Sequence, residues 1–228
     1  MPRADFDRDL RMLQDDILML GSMVEKAIMT SLDSLQRRDL DLSKEIVAGD
    51  DLIDNKTFEI EDKCINLIAT QQPLAIDLRI IISMLHISQE LERMGDYAEG
   101  IAKISLAMGD EPPLKKLIDI PRMGQKSSNM VKLSLDSLVN RDLVTAQVVL
   151  KDDDEIDALY EQVYRELLTF MIEDPKSIKR GTYLLWVAHD LERIADRATN
   201  IAERVIFLVT GRLADSLVKN TTDISNEE

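Results

Sequence analysis

Glu90-Leu-Glu-Arg-Met-Gly-Asp-Tyr-Ala-Glu-Gly-Ile-Ala102 returns 100 residues later as Asp190-Leu-Glu-Arg-Ile-Ala-Asp-Arg-Ala-Thr-Asn-Ile-Ala202. Seven of the 13 aligned positions are identical, and three of these are charged: Glu92/Glu192, Arg93/Arg193 and Asp96/Asp196. Each run lies on an apolar seam at helical spacing. In the first copy the seam is Ile80, Met84, Ile87, Leu91, Met94, Ala98, Ile101 and Met108; in the second it is Leu184, Val187, Leu191, Ile194, Ala198, Ile201, Val205 and Leu208. Each run therefore predicts a long amphipathic helix, and the duplication predicts two halves built alike.

Working outward, Leu32-Asp-Ser-Leu35 matches Leu135-Asp-Ser-Leu138 and Arg38-Asp-Leu40 matches Arg141-Asp-Leu143, both at an offset of 103. Three residues are thus missing from the second half, most economically at the turn before its third helix. The first segment places Phe6, Leu10, Leu13, Ile17, Leu20, Val24, Ala27 and Ser31 at alternating spacings of four and three, the stripe of a helix packed in a bundle. Helices are predicted from about Asp5 to Arg37, from Leu40 to Thr70 with Ile46, Ile53, Ile60, Cys64 and Leu67 inward, and from Pro73 to Met108. Gly109-Asp-Glu-Pro-Pro113 is the strongest break, and helices near Leu114 to Asn140, Leu143 to Glu173 and Lys176 to Leu213 follow it. Three antiparallel helices are the smallest unit that encloses an apolar core. The expected fold is all-α: two tandem antiparallel three-helix bundles related by internal duplication, residues 1–110 and 111–215, with a mobile tail over 216–228.

Composition agrees, since aromatic residues are 4% and Gly and Pro number 8 and 6, which suits helices better than sheets. A formal net charge of −15 opposes contact with a phosphate backbone and argues against nucleic acid as a partner. Cys64 is the one cysteine, so no internal disulfide is available, and it reads as a small buried residue. The start, Met1-Pro-Arg-Ala-Asp-Phe-Asp-Arg8, lacks a signal peptide's apolar stretch, and no run approaches the roughly 20 residues that span a bilayer. A cytoplasmic protein is expected.

The carboxylates carry the functional reading. Glu92, Asp96 and Glu99 project away from the first seam, as do Glu192, Asp196 and Glu203 from the second. A solvated face is the ordinary explanation for acids opposite a seam. Yet Glu-Arg-x-x-Asp repeats in register while Tyr97/Arg197, Glu99/Thr199 and Gly100/Asn200 have diverged. The middle helices also carry paired acids, Asp50 with Asp54 and Asp153 with Asp157. Neighbouring helices would bring these pairs together, and an all-oxygen ligand set suits Mg, Ca, Mn and hard iron better than zinc or copper. Arg93 and Arg193 are either salt-bridge partners of these acids or anion contacts, and Arg79 shares the ambiguity. His189 is either a ligand or a surface histidine. No phosphate-binding Gly-rich loop, catalytic triad or zinc-ligand spacing is present.

Gln71-Gln-Pro-Leu-Ala-Ile-Asp-Leu-Arg79, Leu91-Glu-Arg-Met-Gly-Asp96 and Asp190-Leu-Glu-Arg-Ile-Ala-Asp-Arg-Ala-Thr-Asn-Ile-Ala-Glu203, in this duplicated frame, resemble the PhoU family of phosphate-uptake regulators. The resemblance implies Glu/Asp-x-x-x-Asp motifs that hold multinuclear clusters of hard divalent or trivalent metal, iron first, with Mn, Mg or Zn as alternatives. Carried over, the ligands are Asp50, Asp54, Glu92, Asp96, Asp153, Asp157, Glu192 and Asp196, with Asn200 added in the second copy. Gly100 offers no ligand where Asn200 stands, and Gly95 replaces Ala195, so the resemblance implies two clusters of different nuclearity or occupancy. It further implies a non-enzymatic negative regulator of phosphate uptake and phosphate-responsive signalling. Such a protein is an adaptor between the ATP-driven phosphate transporter and its sensor histidine kinase, homodimeric and membrane-associated only through those partners. Two rivals remain at this point. A structural helical scaffold needs no metal, and a carboxylate-bridged iron oxidase needs inward Glu-x-x-His pairs, for which the chain offers only His189 before Glu192, in reverse order.

Overall fold

The computed structural model describes residues 3–212, so the expected tail lies outside the described residues. Among the described residues the secondary structure is helical, in the order α1 (Arg3–Arg37), α2 (Leu40–Gly49), α3 (Asp51–Gln71), α4 (Ile76–Met108), α5 (Asp119–Asn140), α6 (Leu143–Glu173) and α7 (Ile178–Thr210). These form two three-helix bundles: α1, the α2–α3 pair and α4 make the first, and α5, α6 and α7 the second. The seam residues are inside as their spacing predicts, with Ile17, Leu20, Ile60, Ile87, Leu91, Leu191 and Ile194 fully buried.

The duplication is visible at the helix starts. Arg38 and Arg141 end α1 and α5 in the left-handed region, at φ 55 and φ 51. Asp39 then accepts a hydrogen bond from the Leu42 N–H at 3.0 Å, and Asp142 accepts one from the Val144 N–H at 2.9 Å. Each satisfies one of the donors that a helix start leaves free.

Helix ends differ from expectation in four places. The second helix is interrupted at Asp50, where the Ile53 N–H turns to the Asp50 carbonyl at 2.8 Å. The backbone there stays right-handed, at φ −61 and ψ −38, and Gly49 beside three closely spaced aspartates gives the ladder little propensity to hold it. Pro73 does not open α4: Ala75 takes φ 47, so the helix begins at Ile76. Residues 114–118 are not helical; Leu114 and Leu117 instead pack down on the core. Arg38 holds this crossover by donating to the Glu111 carbonyl at 2.7 Å, and Arg180 by donating to that of Pro112 at 3.1 Å. The last helix starts after a 3-10 turn, Pro175–Ser177, and is described to Thr210; Leu213 lies outside the described residues.

The two bundles share one buried core. Helix α4 packs along α7, and α1 packs on α5. Gly21 faces the Leu135 side chain and Gly124 faces that of Leu32, a reciprocal pair at the duplication's own offset. Each glycine leaves a hollow that the opposite leucine fills. On the outer flanks α3 lies against α4 and α6 against α7, which brings the paired acids of neighbouring helices face to face.

Candidate metal centre

In the first bundle Ile53, one turn after the break at Asp50, is buried against α4 at Gly95. A Cβ at position 95 would lie 3.0 Å from Ile53 Cγ2 and 3.6 Å from Asp50 Oδ1, so the glycine is what lets α3 approach this closely. As a result Asp50, Asp54 and Asp96 each offer a carboxylate oxygen, and the three oxygens lie within 4.8 Å of one another. Burial raises the Asp50 carboxyl to about 6, helped by the charges of Glu99, Asp54 and Asp96. Asp96 is raised by burial and then by Asp54 and Glu99, and Glu92 by burial and then by Asp96 and Asp54. Lys103 relieves part of this charge and is hydrogen-bonded to Glu99 at 2.5 Å. That pair escaped the sequence reading, although its i, i+4 spacing announces it. Arg93 is exposed and forms no salt bridge among the described residues. A cavity of about 400 Å³, bounded by Met23, Ala27, Ile46, Asp50, Gly95 and Glu99, opens beside the cluster.

The second bundle has the same acids in another state. Asp153 and Asp157 on α6 meet Glu192 and Asp196 on α7, and burial followed by Asp157, Asp196 and Glu192 raises Asp153 to about 6. Asp153 Oδ1 is buried and has no hydrogen-bond partner among the described residues. Asp157 and Asp196 are also raised, by burial first. Here the arginine closes on the acids. Arg193 Nε and Nη2 donate to Glu192 at 2.8 and 2.7 Å, and Nη1 lies 2.9 Å from Asp196 Oδ2. Of the two readings of Arg193, the salt-bridge partner is the one the structure bears out.

One expected ligand points elsewhere. Asn200 crosses the α4–α7 seam and donates to Glu90 Oε2 at 3.1 Å, beside Arg197 at 3.4 Å. Its counterpart Gly100 makes room for Asp190, whose Oδ2 would lie 3.1 Å from a Cβ there. His189 turns to Asp190, with Nδ1 3.6 Å from Oδ1, and is half exposed. Burial raises Asp190 to about 6 against the pull of that histidine. Glu90, Arg197 and Asp190 were given no part in this seam by the sequence reading.

The PhoU domain model matches residues 17–105 and again 120–205. A protein of Clostridium acetobutylicum named "Phosphate-specific transport system accessory protein PhoU homolog" is 42% identical over 94% of this chain and 99% of its own length. The chain belongs to the PhoU family. An identically named PhoU relative from Aquifex aeolicus is 39% identical over 90% of this chain and 93% of its own. The crystal structure of PhoU from Pseudomonas aeruginosa superposes with a TM-score of 0.87 at 34% identity, covering 91% of this chain and 100% of that one. That of the phosphate transport system regulatory protein PhoU from Streptococcus pneumoniae gives 0.85 at 32%, covering 92% and 99%. Each matched PhoU segment contains one complete set of paired acids.

Among the described residues only the first PhoU repeat gathers three acidic oxygens this closely, and its donors fit a hard cation. They are carboxylate oxygens alone, brought together at a cost in mutual repulsion and desolvation that a bound positive charge offsets. The orphaned Asp153 oxygen points the same way.

Proposed function

We propose that the protein is a negative regulator of phosphate uptake and of phosphate-responsive signalling, acting as a metal-binding adaptor between the ATP-driven transporter and its sensor histidine kinase. It works on the cytoplasmic side, as a homodimer, and reaches the membrane through those partners; no described helix is long and apolar enough to cross one. The observation that carries this reading is the convergence of Asp50, Asp54 and Asp96 from two helices within a PhoU frame. The relatives support the regulatory half, being named as accessory and regulatory proteins of phosphate transport.

The residues to hold the ions are Asp50, Asp54, Glu92 and Asp96 in the first bundle and Asp153, Asp157, Glu192 and Asp196 in the second. A bound ion, iron or another hard metal, supplies the positive charge that ties the acids of two helices together. The chain's own part is to fix the surface around that tie: Gly95 sets the α3–α4 spacing, Lys103 orients Glu99, and Ile53 anchors the α3 side. A partner that prefers the tied surface is then favoured by occupancy, because a ligand shifts an equilibrium only through differential affinity.

The test pairs elemental analysis with a cellular readout. Protein purified without chelators is compared with the Glu92→Ala, Asp96→Ala, Glu192→Ala and Asp196→Ala quadruple variant, with folding checked by circular dichroism. Stoichiometric hard metal in the parent and its loss in a folded variant is the expected result. In cells lacking their own copy, Asp96→Asn with Asp196→Asn should derepress a phosphate-starvation reporter and weaken pull-down of the transporter ATPase and the kinase. Trace metal in both proteins together with an unchanged reporter would sink the adaptor mechanism.

A further inference from the structure

The duplicated arginine differs in state between the two halves. None of Asp50, Asp54 and Asp96 forms a salt bridge among the described residues, and Arg93 stands exposed beside them. In the second half the Arg193 fork takes both oxygens of Glu192 and one of Asp196. We propose that Arg193 is a built-in competitor for cations at the second carboxylate set, so that the two bundles fill in order, the first at lower cation concentration than the second. This rests on the reading of the acids as metal ligands.

The chemistry of exchange supports the order. A cation entering the first set meets oxygens already within 4.8 Å of one another and has no salt bridge among the described residues to break there. A cation entering the second set must also break a bidentate, charge-assisted pair and release a guanidinium that stays tethered beside the site. A tethered competitor acts at high effective concentration, so its effect does not wash out on dilution. Proteins with the first set filled and the second still latched would therefore exist over a window of cation concentration, giving a graded rather than a single-step response.

The experiment titrates chelator-treated protein with Mn²⁺ alone and counts free ion by electron paramagnetic resonance. The parent should show two classes of binding. Asp50→Asn with Asp54→Asn should abolish the tighter class, and Asp153→Asn with Asp157→Asn the weaker. Arg193→Gln should tighten the weaker class by about tenfold while leaving the tighter class in place. Arg193→Lys should fall between, because an ammonium lacks the bidentate fork, and it also guards against a Gln variant that fails the circular dichroism check. An unchanged or weakened second class in folded Arg193→Gln overturns the latch while leaving the metal reading intact, and so does assignment of the tighter class to Asp153 and Asp157. Absence of Mn²⁺ binding in the parent and every variant overturns both.

Discussion

Asp50 and Asp153 hold matching places in the two halves, and each carboxyl is raised to about 6 from an ordinary value of 3.8, by burial first and by neighbouring acids second. A carboxyl raised on folding contributes stability that is full below its unfolded value and lost as pH rises through the folded one. Metal-free protein therefore carries a penalty at pH 7 that shrinks as pH falls towards 5. Asp50→Asn with Asp153→Asn removes the charge behind that penalty, so its gain in melting temperature over the parent should be full at pH 7.5, reduced at pH 5 and lost below the unfolded value of 3.8. Scanning calorimetry in the presence of chelator measures this, and a gain independent of pH would contradict it. The comparison between variant and parent matters because Asp16 works the other way. Burial alone would raise it, yet hydrogen bonds from Lys56 and Lys63, each at 2.6 Å, hold it below its ordinary value, so its contribution is lost as pH falls. At this scale the paired acids were legible, because i, i+4 spacing on two neighbouring helices leaves their side chains few directions. The states of Arg93 and Arg193 and the direction of Asn200 were not, because long side chains settle against partners from helices far away in sequence.

Helices were legible from their apolar period, and helix ends only where a residue type forces one. Asp39 and Asp142 show the forced kind: each follows a left-handed arginine and caps the next helix with its own carboxylate. Asp39→Ala should cost about 1 kcal/mol in urea denaturation, and Asp142→Ala should lower the unfolding midpoint as well. The starts of α4 and α5 had no such signal, since Ala75 at φ 47 and the pinned crossover before Asp119 depend on what lies beneath them. The break at Asp50 belongs with these, and it matters more, because it sits where α3 closes on α4. Gly95 sets that closure. Gly95→Val would press two methyl groups into Ile53 and should lower stability by about 1–3 kcal/mol. The same push moves Asp50 off Asp96, so the variant should lose Mn²⁺ binding in the first bundle and retain it in the second. Equal loss in both bundles would mean that Gly95 acts through global stability instead.

Read as two bundles in tandem, the chain leaves open how the halves meet, and the reason is physical: the α4–α7 seam is lined by Glu90, Asp190, Arg197 and Asn200, polar residues whose pairing across it depends on a helix far away in sequence. The α1–α5 contact is hidden differently, in two glycines whose value lies in what they lack. Gly21 receives Leu135 and Gly124 receives Leu32, so the halves interlock through a swapped pair of knobs and hollows. Leu32 and Leu135 are each 3% exposed, and each reaches across to a glycine of the other bundle. If this interlock makes the two bundles one cooperative unit, Gly124→Val should overpack the Leu32 site and destabilise by about 1–3 kcal/mol. Leu32→Ala should destabilise by about 2–5 kcal/mol through the cavity it leaves. The double variant then refills that cavity with the valine, so its cost should fall well short of the sum, with a coupling of about 0.5–3 kcal/mol in a double-mutant cycle. Urea unfolding followed by circular dichroism gives all three values. Additive costs, or a Gly124→Val variant that unfolds in two separated steps at the parent's midpoint for one of them, would show that the halves fold independently and that the two carboxylate sets are not held in a fixed relation by this contact.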